Sequence, residues 1–400
     1  MPPPPADAHS VRLVIIILSI AGFASTYAGR AVDPMVNDIA LDLAAPAATI
    51  ALLSTAFALP YALVQPILGP VGDALGKIRV MRFCLAMLFL ALAGSAFMPD
   101  EKSLFFMRAL SGVAAGGVIP LALAMIGDRV ALEGRQVALS RFLMAVILGQ
   151  LAGASLSGAM TDLVGWRAVL LFTAAVAGAA FFAATFSLRG GVEPTAPFSL
   201  ATAITRYRAL LANPRGRALF SLVFVEAIAT LAVIPFVAPI LASREAGGAL
   251  EAGLALTGFA VGGLLYTGFV RIFVRRLGLY GMVIIGGISS AAALVTIALA
   301  LDWRIMAVGL LLLGFGFYMM HNTFQVQVTE LSPEARGSAV ALHACSYFFG
   351  VAVGPVIFKY ASLAFGEIAT LVFFALLITC LGVFAAWILA RTTSPQPRAR

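Results

Sequence analysis

The chain has 400 residues, with 26 Lys and Arg against 18 Asp and Glu and a formal net charge of +8. Hydrophobic residues make up 62% and charged residues 11%, which leaves too little polar surface to cover a soluble fold of this size. Water is excluded as the main solvent, and the bilayer takes its place.

Crossing the hydrocarbon core takes about 20 mostly apolar residues. Such runs are predicted at 11–32, 48–70, 78–98, 103–126, 136–160 and 166–188, and after a polar gap at 218–242, 250–274, 280–300, 304–328, 336–361 and 367–390. The expected fold is an all-α membrane protein with 12 transmembrane helices in two pseudo-symmetric six-helix bundles. Its parts are a tail at 1–10, a first bundle over 11–188, a linker over 189–217, a second bundle over 218–390 and a tail at 391–400. The start, MPPPPADAHS, lacks a charged leader region and the apolar run after it is span-length, so no cleavable signal peptide is expected.

With the N-terminus inside, the inner loops collect Arg12, Lys77, Arg79, Arg82, Arg129, Arg135, Arg141 and most other cations, and the outer loops hold Lys102, Arg167, Arg244, Arg304 and Lys359. This positive-inside bias puts both termini in the cytoplasm and the chain in the cell (inner) membrane. It also accounts for the net charge without nucleic acid as a partner. In the linker, apolar residues at helical spacing from Leu200 to Leu211, with Arg206 and Arg208 on another side, suit a short helix on the inner leaflet. A solvated basic linker fits the same residues. Cys84, Cys345 and Cys380 lie within spans without metal-ligand spacing and read as packing residues.

At a constant offset of 201 residues, EGRQVALSRFLMAVILGQLAGA overlies EARGSAVALHACSYFFGVAVGP, matching Arg135 to Arg336, Gly149 to Gly350 and Gly153 to Gly354. Pro34 matches Pro235 at the same offset. The halves read as a duplication of parallel topology, an architecture that leaves a cavity near the midplane and suits a carrier.

Ionisable residues inside spans are costly unless paired or hydrated, and each is a functional candidate. In the first half, Arg30 and Asp33 stand near the outer end of span 1 and Arg108 in the outer third of span 4, so an Asp33–Arg108 or Asp33–Arg30 pair is expected. Arg30 also suits a side chain that reaches the headgroups. In the second half, Glu226 of span 7 and His321 of span 10 fall at similar depth. With Asn322 and Gln325 they form a candidate polar site that binds and releases a proton. Glu226 and His321 holding the bundle together by a hydrogen bond is the other reading. His343 of span 11, at the same depth, reads as a packed histidine. Prolines at 34, 60, 66, 120, 235, 239 and 355 are expected to mark kinks or broken turns.

Between spans 2 and 3 the apolar pattern halts at GPVGDALGKIRV, where Gly69 and Gly76 allow tight turning and Asp73, Lys77 and Arg79 supply charge. This stretch resembles the loop signature of the major facilitator superfamily, with Ala74 and Ile78 where that family usually has cations. The resemblance implies that Asp73 docks near Arg336 at the start of span 11, and that Lys77 or Arg79 pairs with Asp128 at the end of span 4. Such contacts close one face of a carrier in one state and break in the other. The corresponding stretch in the second half, GFVRIFVRRLGLYG, keeps Gly278 and has Arg275 where the aspartate would fall.

Two further stretches resemble the same family. LFFMRALSGVAAGG is similar to its motif with an intramembrane arginine, carried by Arg108, Ser111 and Gly112. GQLAGASLSG is similar to its antiporter motif, carried by Gly149, Gly153, Ser157 and Gly158, with Ala154 in place of a proline. GWR at Gly165 to Arg167 resembles the branch of drug:proton antiporters with 12 spans. Ordinary close packing of helices is the other reading of these small residues.

No nucleotide-binding glycine loop, catalytic set or metal cluster appears in the sequence, so the chain is expected to be no enzyme and to need no cofactor beyond a proton gradient. The expected function is proton-coupled efflux of small amphipathic or drug-like solutes by alternating access, with a monomer in membrane lipid as the working unit. Tyr318, among the aromatic and methionine side chains of span 10, is a candidate for contact with such a solute, as are Arg30, Asn322 and Gln325. The alternative is uptake or exchange of a polar metabolite such as a sugar or organic acid, and a remote one is a non-transporting membrane receptor.

Overall fold

The computed structural model describes residues 8–130, 132–188, 200–332 and 335–392. The outer parts of both expected tails and most of the Gly/Pro stretch of the linker lie outside these residues. Among the described residues the regular structure is helical throughout. The first half comprises α1 (Ala8–Arg30), α2 (Val36–Asp42), α3 (Ala47–Ile50), α4 (Leu53–Leu75), α5 (Lys77–Ser95), α6 (Glu101–Gly116), α7 (Val118–Arg129) and α8 (Leu132–Ser187). The second comprises α9 (Leu200–Ala212), α10 (Pro214–Leu231), α11 (Val237–Ser243), α12 (Ala249–Ala298), α13 (Trp303–Thr329), α14 (Arg336–Phe365) and α15 (Glu367–Thr392).

Among the described residues, ten helical stretches are long and apolar enough to cross a membrane. Two of them are oversized, since α8 has 56 residues and α12 has 50. A straight helix of about 50 residues would extend about 75 Å, more than twice the roughly 30 Å hydrocarbon core. Each is interrupted by a glycine with non-helical backbone, Gly165 (φ 77°) in α8 and Gly278 (φ 62°) in α12. Each glycine thus divides its helix into two pieces long enough to cross the core.

Proline breaks the helices at some expected places and not at others. Pro34 and Pro235 each sit in a three-residue 3-10 turn, Asp33–Met35 and Ile234–Phe236, after which the span resumes as α2 or α11. The first span therefore runs to Asp42, ten residues past its expected end at 32. Pro60, Pro66 and Pro70 lie within the continuous α4, and Pro355 within α14. Carboxylates start two other helices: Asp100 accepts the Ser103 backbone N–H (2.9 Å) at α6, and Asp302 accepts those of Arg304 (2.7 Å) and Ile305 (3.0 Å) at α13. The Ser103 N–H holds the Asp100 carboxyl below its usual range.

Two compact units emerge. One holds the chain up to Ala203 together with Ile234–Leu256, and the other holds Ile204–Val233 with the chain from Thr257 on. In the first, α1 packs along the first stretch of α8, α4 along α6, and α5 against α6 and α8. An apolar cluster that includes Leu18, Met81, Leu85, Met125, Ile126 and Phe142 fills its interior. The added segment is tied in by Asn37, whose side-chain amide donates to the Ala238 carbonyl (2.9 Å). Gly158 of α8 also meets Gly253 of α12, so closely that a Cβ on Gly158 would lie 3.0 Å from the Gly253 Cα. In the second unit, α10 packs along α14 and touches α13 and α15.

Candidate functional site

Each unit buries a polar cluster. In the second unit Glu226 sits in the C-terminal half of α10 and is fully buried. Its Oε2 is 3.0 Å from Nδ1 of His321 on α13. The other ring nitrogen of His321, Nε2, is 3.4 Å from Nε2 of His343 on α14. Three helices thus contribute one side chain each to a continuous chain, carboxylate to imidazole to imidazole. The Phe317 ring stacks on His321 with centroids 4.9 Å apart, and the Tyr347 ring lies 4.8 Å away. Among the described residues, Glu226 Oε1 and His343 Nδ1 have no hydrogen-bond partner.

The geometry restricts where protons sit. With Glu226 ionised, His321 donates from Nδ1 and accepts at Nε2 from a His343 that carries its proton on Nε2. If a proton is added to His321, its Nε2 becomes a donor and His343 must move its own proton to Nδ1. A proton at one end of the chain is therefore felt at the other through two hydrogen bonds. His343, read from the sequence as a packed histidine, is buried as expected and is also the third member of this chain. Depth in the membrane was legible, but the facing of α14 was not.

The remaining candidates of α13 are arranged differently. Tyr318 packs over Gly263 of α12, with its ring 6.0 Å from Phe259. Asn322 faces the Tyr266 hydroxyl, also on α12. Gln325 is exposed. Gln327 accepts from Arg215 of α10 at 2.5 Å, a link the sequence did not suggest.

In the first unit, Asp33 is buried in the turn after α1. Its Oδ1 accepts from the Ser54 hydroxyl at 2.6 Å, and its Oδ2 lies 3.4 Å from Arg30 Nη1. Of the two expected pairs the structure holds Asp33–Arg30. Arg108, fully buried on α6, donates instead from Nη1 to the Ala28 carbonyl (2.9 Å) and sets its guanidinium 4.6 Å from the Phe57 ring centre. Its Nε and Nη2 have no hydrogen-bond partner among the described residues. Ser54, Phe57 and the Ala28 carbonyl escaped sequence reading, since a hydroxyl, a phenyl ring and a backbone oxygen carry no distinctive signal.

The small residues of α8 let the backbones of α1 and α8 meet. A Cβ on Gly149 would come within 2.5 Å of the Phe23 carbonyl oxygen, and one on Gly153 within 2.6 Å of that of Tyr27. Thr26 adds a hydrogen bond across the same contact, to the Val146 carbonyl at 2.9 Å. The contacts advance together along both helices, so α1 and α8 run in the same direction. Ser157, one turn before Thr161, is buried as well.

At the glycine-rich turn, Gly76 (φ 94°) ends α4 and starts α5, a backbone conformation that L side chains rarely adopt. The next residue, Lys77, bridges Asp73 (3.1 Å) and Asp128 (2.7 Å). Arg79 is exposed. Gly69 lies in α4, within the same stretch. Arg135 caps the end of α7 by donating to the Gly127 carbonyl (2.6 Å), and its repeat-mate Arg336 donates to the Thr329 carbonyl (3.1 Å) at the end of α13. On the opposite face of the first unit, Trp166 and Arg167 both donate to Asp42, and Arg167 also reaches the Met98 carbonyl at 3.3 Å.

These features define a multi-pass helical membrane protein of duplicated build with a buried polar cluster in each half. The chain belongs to the Major Facilitator Superfamily, whose model matches residues 18–225 and 219–400. It is 26% identical over 311 residues to the multi-drug resistance efflux pump PmrA of Streptococcus pneumoniae, covering 75% of each chain. It is 24% identical over 313 residues to a PmrA homolog of Lactococcus lactis, covering 76% of each. A shorter match, 26% over 164 residues, joins 41% of the chain to 32% of the multidrug export protein EmrB of Haemophilus influenzae. Among solved structures, the nucleoside transporter NupG superposes with a TM-score of 0.78 at 15% identity, covering 95% of this chain and 100% of that one.

Proposed function

We propose that the protein is a proton-coupled efflux carrier that exchanges small amphipathic or drug-like solutes for protons by alternating access, with both termini in the cytoplasm of the cell (inner) membrane. The observation that carries this reading is the Glu226–His321–His343 chain, a fully buried carboxylate with one oxygen unpartnered and two imidazoles in line. A buried carboxylate of that kind is costly to keep charged. Loading it with a proton in one state of the cycle and unloading it in the other is a use for that cost. The relatives named as multidrug efflux pumps support the direction of transport and the class of solute.

In this scheme Lys77, held between Asp73 and Asp128, latches one face, and Asp73 and Arg336 engage when that face closes. Arg30, Tyr318, Asn322 and Gln325 stay as candidate contacts for the solute. The protein is proposed to work as a monomer with no cofactor. A second reading, uptake of an anionic metabolite, draws on Arg108, whose two unpartnered nitrogens would suit a carboxylate.

The test is transport by purified protein in liposomes with an internal pH dye and an imposed proton gradient, given cationic, neutral and anionic compounds singly. Proton movement driven by cationic or neutral amphiphiles is the expected result. Movement driven only by small anions, and lost in Arg108→Gln, would replace this reading with the second.

A further inference from the structure

Where α1 and α8 begin, a cleft of about 450 Å³ opens between them, lined by Arg12, Ile15, Ile16, Ile20, Phe23 and Arg141. Both arginines are exposed. Among the described residues neither forms a hydrogen bond or ion pair, although other cations of the same unit are engaged. Arg82 donates to the carbonyls of Ala184, Thr185 and Leu188, Arg135 to that of Gly127, and Lys77 to two carboxylates. Two guanidiniums from different helices, unpaired among the described residues, therefore face one cleft.

Apart from Ser19, the rest of the cleft is apolar, and it has a direction. Arg12, Ile16, Ile20 and Phe23 recur at spacings that fall on one stripe of a helix, with Ile16 46% and Ile20 38% exposed. At 1.5 Å per residue the stripe runs about 16 Å from its charged end along α1. Arg12 is also the first residue of the first apolar span, the level at which lipid headgroups lie. A paired cation at the interface and an apolar track running into the membrane match a ligand with an anionic head and a hydrocarbon tail.

We propose that this cleft binds an anionic phospholipid, with Arg12 and Arg141 holding the phosphodiester and one acyl chain lying along Ile16, Ile20 and Phe23. Guanidinium matches phosphate geometry and is weakly hydrated, so two of them on one phosphate bind it better than the isolated basic residues of a loop. A free phosphate would leave the apolar track uncovered. The proposal does not depend on proton coupling, because none of these residues belongs to either buried polar cluster.

Native mass spectrometry of lipid-stripped protein in neutral detergent tests it, by titration with phosphatidylglycerol and, separately, with phosphatidylcholine of identical chains. Wild type is expected to bind phosphatidylglycerol roughly twenty-five-fold more tightly. R12Q/R141Q should lose roughly fivefold per cation, about twenty-five-fold in all, and fall to the phosphatidylcholine level. Arg141→Glu alone, at an exposed position, should give at least the single-cation loss if the double variant does not fold. Glu226→Gln should bind phosphatidylglycerol as wild type does, even if proton coupling proves wrong. Equal affinity of wild type for the two lipids, unchanged phosphatidylglycerol binding in the arginine variants, or displacement of the lipid by matched inorganic phosphate would overturn the proposal.

Discussion

His343 shows most clearly what a single side chain adds. Its position 201 residues earlier is Phe142, packed in the apolar cluster of the first unit against Gly22. Glu226 and His321 likewise correspond to Ser25 and Pro120. The polar chain is thus confined to one copy of the repeat, and the other copy supplies an apolar template for undoing it. His343→Phe should fold, because the repeat already accommodates a ring there, yet it removes one hydrogen bond from the chain. Such a bond between neutral imidazoles is worth about 1 kcal/mol, so a roughly fivefold slower proton-driven rate is expected. Stopped-flow dye measurements beside a melting curve check it, and an unchanged rate would make His343 a packing residue after all. Glu226 and His321 were legible in the sequence because charge inside a span stands out and depth follows from counting residues. The partners of Arg108 were not, since the acceptor is a backbone oxygen.

At the scale of helices, the duplication repeats down to single contacts. Gly149 meets the Phe23 carbonyl and Gly350 meets the Phe224 carbonyl, and a Cβ on either would lie 2.5 Å from that oxygen. Gly165 (φ 77°) and Gly366 (φ 86°) share the offset too, each at a turn between spans. Adding a methyl group at Gly149 or Gly350 must separate two helices, at a cost of roughly 1–3 kcal/mol. Gly149→Ala and Gly350→Ala should each lower the melting temperature by several degrees, whereas Gly337→Ala, with nothing within 4 Å, should leave it unchanged. Equal effects at all three positions would remove the close-packing account of these glycines. The offset was visible in sequence because small residues and prolines align without gaps. The run of α4 through Pro60, Pro66 and Pro70 was not visible, because proline propensity is local and packing within the bundle overrides it. The extension of span 1 beyond Pro34 was missed for a related reason: a 3-10 turn lets the apolar path continue past a residue that reads as a stop.

Across the whole molecule, hydrophobic content alone determined that the chain spans a membrane many times, and spacing of apolar runs determined where. Sidedness rests on the loop cations. In a background lacking Cys84, Cys345 and Cys380, a cysteine at Lys102 should react with an impermeant maleimide added to intact cells, and one at Arg129 only after permeabilisation. The reverse pattern would invert the orientation and, with it, the side on which Lys77 pairs with Asp73 and Asp128. The two polar clusters divide the labour suggested by the repeat. Positions equivalent to Arg30, Asp33 and Arg108 are Leu231, Ile234 and Gly309, so each half has lost or never had the other's charges. A carboxylate–imidazole chain in the second half and an arginine-centred cluster in the first are what the two copies gain by divergence.

The claim that proton coupling runs through Glu226 is tested most directly by separating exchange from coupling in one variant. Glu226→Gln, which keeps the shape and removes the titratable group, would be reconstituted beside wild type and assayed twice with the same solute. One assay measures counterflow with no proton gradient, and the other measures accumulation driven by an imposed one. The expected result is counterflow at the wild-type rate and no proton-driven accumulation. Proton-driven accumulation that survives in the variant would contradict the account and place coupling outside the Glu226–His321–His343 chain.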